Sequence, residues 1–178
     1  MLGFWKRPCL VRAAGDFFHL RVDERLVHGQ VVLGWGVPLG VNCLILANDE
    51  VAGNAGDREL YLQIIPEEMG GSVLTLAQAV AEMPAIQKRG ARCLAVVQTV
   101  DDALKWVERG NAPDLLILGG VHPKPGRQRL LDYVSLSNDE IEMLKSIARR
   151  QIKIVCQDVW SGDPVDFDEA LCRAGINH

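Results

Sequence analysis

Apolar positions along the chain fall into two alternating kinds of segment. Some are short continuous apolar runs: Phe17–Val22, "VNCLILA" (41–47), "SVLTL" (72–76), "ARCLAVVQ" (91–98), "DLLIL" (114–118), "YVSL" (133–136) and "IKIVCQ" (152–157). Runs of this length suit strands buried on both faces. Between them, apolar residues recur at helical spacing in 29–39, in "RELYLQII" (58–65), which ends at Pro66, in "AQAVAEM" and in "DDALKWVERG". Asp101 and Asp102 favour the start of that last helix, and Arg109 with Gly110 marks its exit. Ser137 and Glu140 form an S-x-x-E capping box that opens a helix through Arg150.

Strands separated by such helices predict βαβ units. The expected fold is α/β: an open, mostly parallel, doubly wound sheet of about seven strands with helices on both faces. No helix separates 114–118 from 133–136, so one of the last strands is expected to run antiparallel. Ligands of such sheets bind beyond the carboxyl ends of the strands, where strand order reverses. The segments expected there are the turn holding His28, Asn48–Glu50, Gln98–Thr99 and Gly119–Arg129.

Size and composition narrow the setting. The chain has 178 residues, 48% hydrophobic and 24% charged, with a formal net charge of −4. These values predict one globular domain over 17–178, with 1–16 read as an N-terminal extension outside the fold. The charge gives no reason to expect nucleic acid or an anionic membrane as a partner, and it leaves a homo-oligomer open. Five cysteines, at 9, 43, 93, 156 and 172, show no C-x-x-C or finger spacing. Cys43, Cys93 and Cys156 sit in apolar runs as small hydrophobes, which suits a reducing cytoplasm. No apolar run approaches the ~20 residues that span a bilayer.

The stretch "RVDERLVHGQVV" (21–32) joins the first strand to the first helix. An imidazole there lies near unpaired backbone N–H groups and the positive end of the helix dipole, a ready anion site. Gly29 lets the backbone approach a phosphate, the neighbouring amide of Gln30 adds a donor, and Arg25 offers a bidentate guanidinium. His28 could then carry a phosphoryl group as a nucleophile, with Asp23 holding its other ring nitrogen. Taken on spacing alone, R-x-x-H-G is weak evidence and is better matched by His28 capping a helix while Arg25 pairs with Asp23 or Glu24 on the surface.

Other motifs carry less. His122, Lys124, Arg127 and Arg129 form a basic loop, expected either to fold over the His28 pocket and dock an acidic partner, or to stand solvated with Pro123, Pro125 and Gly126 setting its turns. Histidine spacing argues against a metal. "GWGVPLG" (34–40) is read as close helix packing and a helix exit, so no nucleotide or other cofactor is expected. Trp35 and Trp106 are expected in the core or facing a partner.

The His28 segment closely resembles the R-[IV]-D-D-R-[LF]-I-H-G-Q-[VI] signature of IIB subunits of the mannose/fructose/sorbose family of sugar phosphotransferase systems. "ANDEVAGNAGDRELYL" and "LGGVHPKPGRQRLLDYVSLSNDEIEMLKSIARRQIKI" are similar to further segments of that family, so the likeness spans roughly residues 18–160. It implies a protein-phosphohistidine–sugar phosphotransferase in which His28 accepts a phosphoryl group from a IIA protein, with Nδ1 as the acceptor, and passes it to a sugar entering through IIC and IID membrane subunits. A regulatory phosphoprotein that uses the same phosphohistidine as a signal is the alternative. Glu24 stands where the family usually has Asp, Ile117 where Asn commonly precedes the glycine pair, and Trp160 where Pro is usual. The region Gly34–Pro38 is also richer in glycine than the family pattern.

Overall fold

The computed structural model describes residues 15–176; the reading of an N-terminal extension, and Cys9, fall largely outside the described residues. Seven strands form one sheet in the order β3-β2-β4-β1-β5-β8-β9. They are β1 (Phe17–Val22), β2 (Cys43–Ala47), β3 (Ser72–Leu74), β4 (Arg92–Val97), β5 (Leu115–Leu118), β8 (Ile154–Cys156) and β9 (Val165–Asp166). All pairings are parallel except β8 with β9. The sheet expected from the apolar runs is therefore present, with two corrections. The run 133–136 contributes β7 (Val134–Leu136), which pairs antiparallel with β6 (Gln128–Leu131) in a separate two-stranded ribbon. The seventh place in the main sheet goes instead to the two-residue β9, too short to leave a hydrophobic signature.

Each strand alternates its side chains between two cores. On one side, Phe18, Leu20 and Val22 of β1 join Cys93, Ala95 and Val97 of β4. Helices α5 (Leu76–Lys88), α6 (Val100–Glu108), α7 (Asn138–Ala148) and α8 (Phe167–Arg173) cover that face. On the other side, Leu44, Leu46, Leu94, Val96 and Ile117 meet Val31, Val32 and Trp35. Those three belong to a helical segment built of α1 (Gly29–Val31), a π-helical turn (Val32–Gly36) and α2 (Val37–Leu39). This face also carries α3 (Asp49–Gly53) and α4 (Ala55–Ile64). Each fully buried Leu or Val contributes roughly 1.5–3 kcal/mol, so two such layers fix the strand ends firmly.

Ser137 completes the expected capping box with Glu140, while Thr75, read within the strand-like run 72–76, instead caps α5 and completes a second box with Gln78. Gly36 packs so tightly that a Cβ there would lie 2.8 Å from Met69 Sδ, while Gly40 takes a left-handed φ of 61° at the helix exit. The glycine-rich stretch is thus packing and punctuation. Among the described residues no helix is long and apolar enough to cross a membrane.

Candidate functional site

β1 occupies the middle of the sheet between β4 and β5, and its carboxyl end delivers Asp23 through His28 to the point where strand order reverses. The chain turns there at once, with the Leu26 amide donating to Asp23 O at 3.0 Å. Leu26 sits at φ 57°, a left-handed conformation costly for a branched side chain. It is held there because Leu26 and Val27 are both buried in the core under the turn. His28 follows in extended conformation and opens α1 without capping it through its side chain. The helix-cap alternative for His28 therefore does not describe its ring.

Beneath the turn lies a charge that spacing analysis passed over. Arg21 is fully buried, its guanidinium 5.1 Å above the Trp35 ring. Nη2 and Nε donate to Asp23 Oδ2 at 2.8 and 3.2 Å, and Nη1 donates to the Gln157 carbonyl at 3.0 Å. Nη2 also reaches the Asp158 carbonyl at 3.1 Å, the same oxygen that accepts Trp35 Nε1–H at 2.9 Å. Burial alone would raise the Asp23 carboxyl, but the Arg21 guanidinium outweighs it and holds the group below the ordinary carboxylate range. Such a buried pair is tolerable because nearly every donor is matched.

Two glycines make room for it. A Cβ on Gly119 would stand 2.1 Å from Arg21 Nη2, and one on Gly120 would lie 3.0 Å from Asp23 Oδ1. The pair after β5 is thus required by close approach. In sequence its signal is two adjacent glycines ending a strand next to the one that carries Arg21.

Asp23 does not hold His28. Its Oδ2 is taken by Arg21, and its Oδ1 accepts the Arg25 amide at 3.1 Å and faces Arg25 Nε at 3.5 Å. The expected Asp23–imidazole hydrogen bond is absent because both oxygens are already engaged. Instead, Asp23 fixes Arg25, which also lies 3.6 Å from Asp158 Oδ1 while remaining substantially exposed. His28 is half-buried, and neither Nδ1 nor Nε2 has a hydrogen-bond partner or contact with solvent. Burial lowers its basicity below the usual 6.5; Asp23 opposes this, while Arg25 and Arg21 add to it. The surroundings therefore favour the neutral imidazole. Beside it Gly29 and Gln30 are exposed, a Cβ on Gly29 would meet nothing within 4 Å, and their amides have no preceding turn to bond.

The basic loop does fold toward the turn, but onto Glu24 rather than His28. Glu24 Oε1 accepts Lys124 Nζ at 2.6 Å and Arg127 Nη1 at 2.7 Å, and Oε2 accepts the His122 amide at 3.1 Å. His122 Nδ1 stands 3.2 Å from the same oxygen. Arg127 also grips Glu140 of α7 through two further bonds. Burial would raise the Glu24 carboxyl, but Lys124 and Arg127 bring it down to about 2. Arg127 is therefore a structural bridge, and Arg129 pairs locally with Asp132. His122 and Lys124 of this loop stay exposed beside the site.

The remaining mouth segments are spent on architecture. Asn48 Oδ1 caps α3 at the Val51 amide and its Nδ2 donates to Gln98 Oε1 at 3.1 Å, while Asp49 accepts the Leu76 amide that starts α5. Thr99 caps α6. Trp35 and Trp106 are both fully buried. No group of three or more His, Cys, Asp or Glu among the described residues is arranged to hold a metal.

Comparison with known proteins places the chain in a family. The chain is 29% identical over 147 residues to the sorbose-specific EIIB component of Klebsiella pneumoniae, covering 83% of this chain and 90% of that protein. It is 28% identical to the N-acetylgalactosamine-specific phosphotransferase enzyme IIB component 2 of Escherichia coli K12, over 85% of this chain and 96% of that one. The crystal structure of the IIBSor domain of the Klebsiella pneumoniae sorbose permease superposes with a TM-score of 0.79 at 27% identity, covering 88% of this chain and 96% of that domain. The mannose-specific EIIAB component of Escherichia coli K12 matches at 28% identity over 81% of this chain, which spans 44% of that longer protein. The family model described as the sorbose subfamily IIB component of the phosphotransferase system matches residues 17–178, and this chain belongs to that family.

Proposed function

We propose that His28 is a temporary phosphoryl carrier: it receives the group from the phosphohistidine of a IIA protein and passes it to a sugar entering through IIC and IID membrane subunits, at the cytoplasmic side. The observation that carries this reading is the His28 ring itself, half-buried, its basicity lowered by burial, and without a hydrogen-bond partner at either nitrogen. A buried polar atom left unpaired in an otherwise satisfied turn is rare unless it has work to do. Both nitrogens face inward, so the ring swings about its side-chain torsions to meet the donor. In the transfer, the N–P bond of the donor imidazole breaks as a new N–P bond forms at His28, and the donor nitrogen leaves with the electron pair. No general base is needed, since a neutral imidazole attacks through a ring-nitrogen lone pair; placement and charge neutralisation are what the transfer requires. Arg25, anchored by Asp23, and the amides of Gly29 and Gln30 supply that neutralisation.

The donor is a protein, so the reactive ring belongs in a shallow depression with docking surface around it. Leu33 and Val37, exposed one turn apart on the helical segment that begins at Gly29, together with Arg25, His122 and Lys124, supply such a rim. Incubation with phosphoenolpyruvate, Enzyme I, HPr and a cognate IIA, followed by mass spectrometry, tests the assignment. One acid-labile phosphate on the peptide holding His28, lost in His28→Ala, is expected; undiminished labelling of that variant would refute it.

A further inference from the structure

At the opposite end of the sheet from His28, two thiols are brought together that phosphoryl transfer does not use. Cys43 opens β2 and Cys93 lies near the start of β4, fifty residues later; the two strands are parallel neighbours with Cys43 and Cys93 as direct register partners. Both side chains point to the same face of the sheet, packed with Ile45, Ala95 and the α5 side of the core. Neighbouring strands run about 4.8 Å apart, inside the Cα separation of roughly 4.4–6.8 Å that a disulfide spans. We propose that Cys43 and Cys93 are a redox-active pair that closes an intrachain disulfide when the protein meets a peroxide.

The two sites within the pair are unequal in a useful way. Cys43 is partly exposed at the amino-terminal end of β2, whereas Cys93 is fully buried. Cys43 also has the more acidic thiol: interaction with Cys93 lowers it against the effect of burial, helped by the Arg89 charge, while Cys93 is driven upward by the same interaction and by burial. The exposed member is thus the nucleophile and the inner one the resolving thiol. Hydrogen peroxide transfers one oxygen to the Cys43 thiolate, giving a sulfenic acid and, after protonation, water. The Cys93 thiol then attacks that sulfur; the S–S bond forms as the S–O bond breaks, and a second water leaves. Two thiols lose two hydrogens and one peroxide becomes two waters. The other strand cysteine lacks this arrangement. Cys156 is paired in register with Leu118 and Val165, and burial pushes its thiol up to about 12.

The test uses the full chain, reduced, then exposed to hydrogen peroxide, alkylated and digested without reductant. Expected is a linked pair of peptides holding Cys43 and Cys93, two hydrogens lighter than the sum of the free peptides and separated by dithiothreitol. The oxidised form should unfold at a higher temperature than the reduced one, since the bridge closes a long loop. In Cys93→Ser, Cys43 should stop at a sulfenic acid that dimedone traps. Recovery of both residues alkylated from protein that remains folded by circular dichroism would overturn the proposal, as would linkage of Cys43 to Cys172 or to a second copy. Because the pair lies far from His28, phosphoryl labelling is expected to be equal in the oxidised and reduced forms, and the outcome is independent of the carrier reading.

Discussion

Glu24 and His28 stand four residues apart on one turn, and their surroundings are opposites. Glu24 is gripped by Lys124, Arg127 and the His122 amide, while the imidazole of His28 has no partner at all. Within one turn the protein satisfies one polar group several times over and leaves another without a partner. The comparison separates two tasks. Groups with complete partner sets hold the shape of the turn, and the group without partners is the one free to bond to something new.

The largest test of that division removes the scaffold. Arg21→Met strands the Asp23 carboxylate in the core, and a loss of about 3–5 kcal/mol in urea-unfolding stability is expected. The double variant with Asp23→Asn should recover part of it, showing that the cost lies in the orphaned charge. Next in size is Gly119→Ala. Its Cβ would fall 2.1 Å from the Arg21 guanidinium, which is pinned by four acceptor contacts and cannot swing aside. A loss of roughly 1–3 kcal/mol is expected from this overpacking, whereas Gly29→Ala, with open space around it, should leave stability nearly unchanged.

A smaller effect comes from Glu24. Its folded-state value is depressed from 4.5 to about 2, so its contribution is complete above pH 4.5 and is lost as pH falls toward 2. Partners such as Lys124 are half in solvent, which reduces the contribution to something on the order of 1–2 kcal/mol. Glu24→Gln should therefore flatten the acid limb of the stability profile between those limits, with little change in its shape elsewhere. His28→Ala completes the contrast: it should abolish labelling while changing stability by less than about 1 kcal/mol, because no hydrogen bond is lost. A large destabilisation would break the comparison. In the wild-type protein, the labelling rate should fall by less than the roughly twofold expected at pH 6.5 of an ordinary imidazole, since protonation of His28 is displaced to lower pH.

How much of this was legible in the sequence depended on what each signal required. Strands β1, β2, β4, β5 and β8 were readable because parallel strands buried on both faces must be continuously apolar. The ribbon strand Gln128–Leu131 was not, since it is largely exposed and begins with two polar residues. Helix α8, seven residues long behind its Asp166 cap, was too brief to stand out from a loop. At the site, the turn and His28 were legible from pattern and resemblance, but the wiring was not. The Asp23 oxygens were expected on His28 and instead serve Arg21 and Arg25. A signal for this did exist: an arginine between Leu20 and Val22, in a central strand covered on both faces, has nowhere to go but inside, and a buried guanidinium demands a carboxylate. Asp158 lay beyond such reasoning, because only the sheet, which sets β1 and β8 on either side of β5, brings it close.

Arg21 also ties together parts of the chain made at very different times. Its guanidinium reaches the carbonyls of Gln157 and Asp158, 136 and 137 residues further along. Contacts of such high sequence separation form late. A growing polypeptide that has emerged only as far as β5 therefore already carries its imidazole but has no finished pocket around it. The corner around His28 is closed just past β8, the last parallel strand to be synthesised, so a chain cut short before Gln157 should take up no phosphoryl group even where its early elements have collapsed.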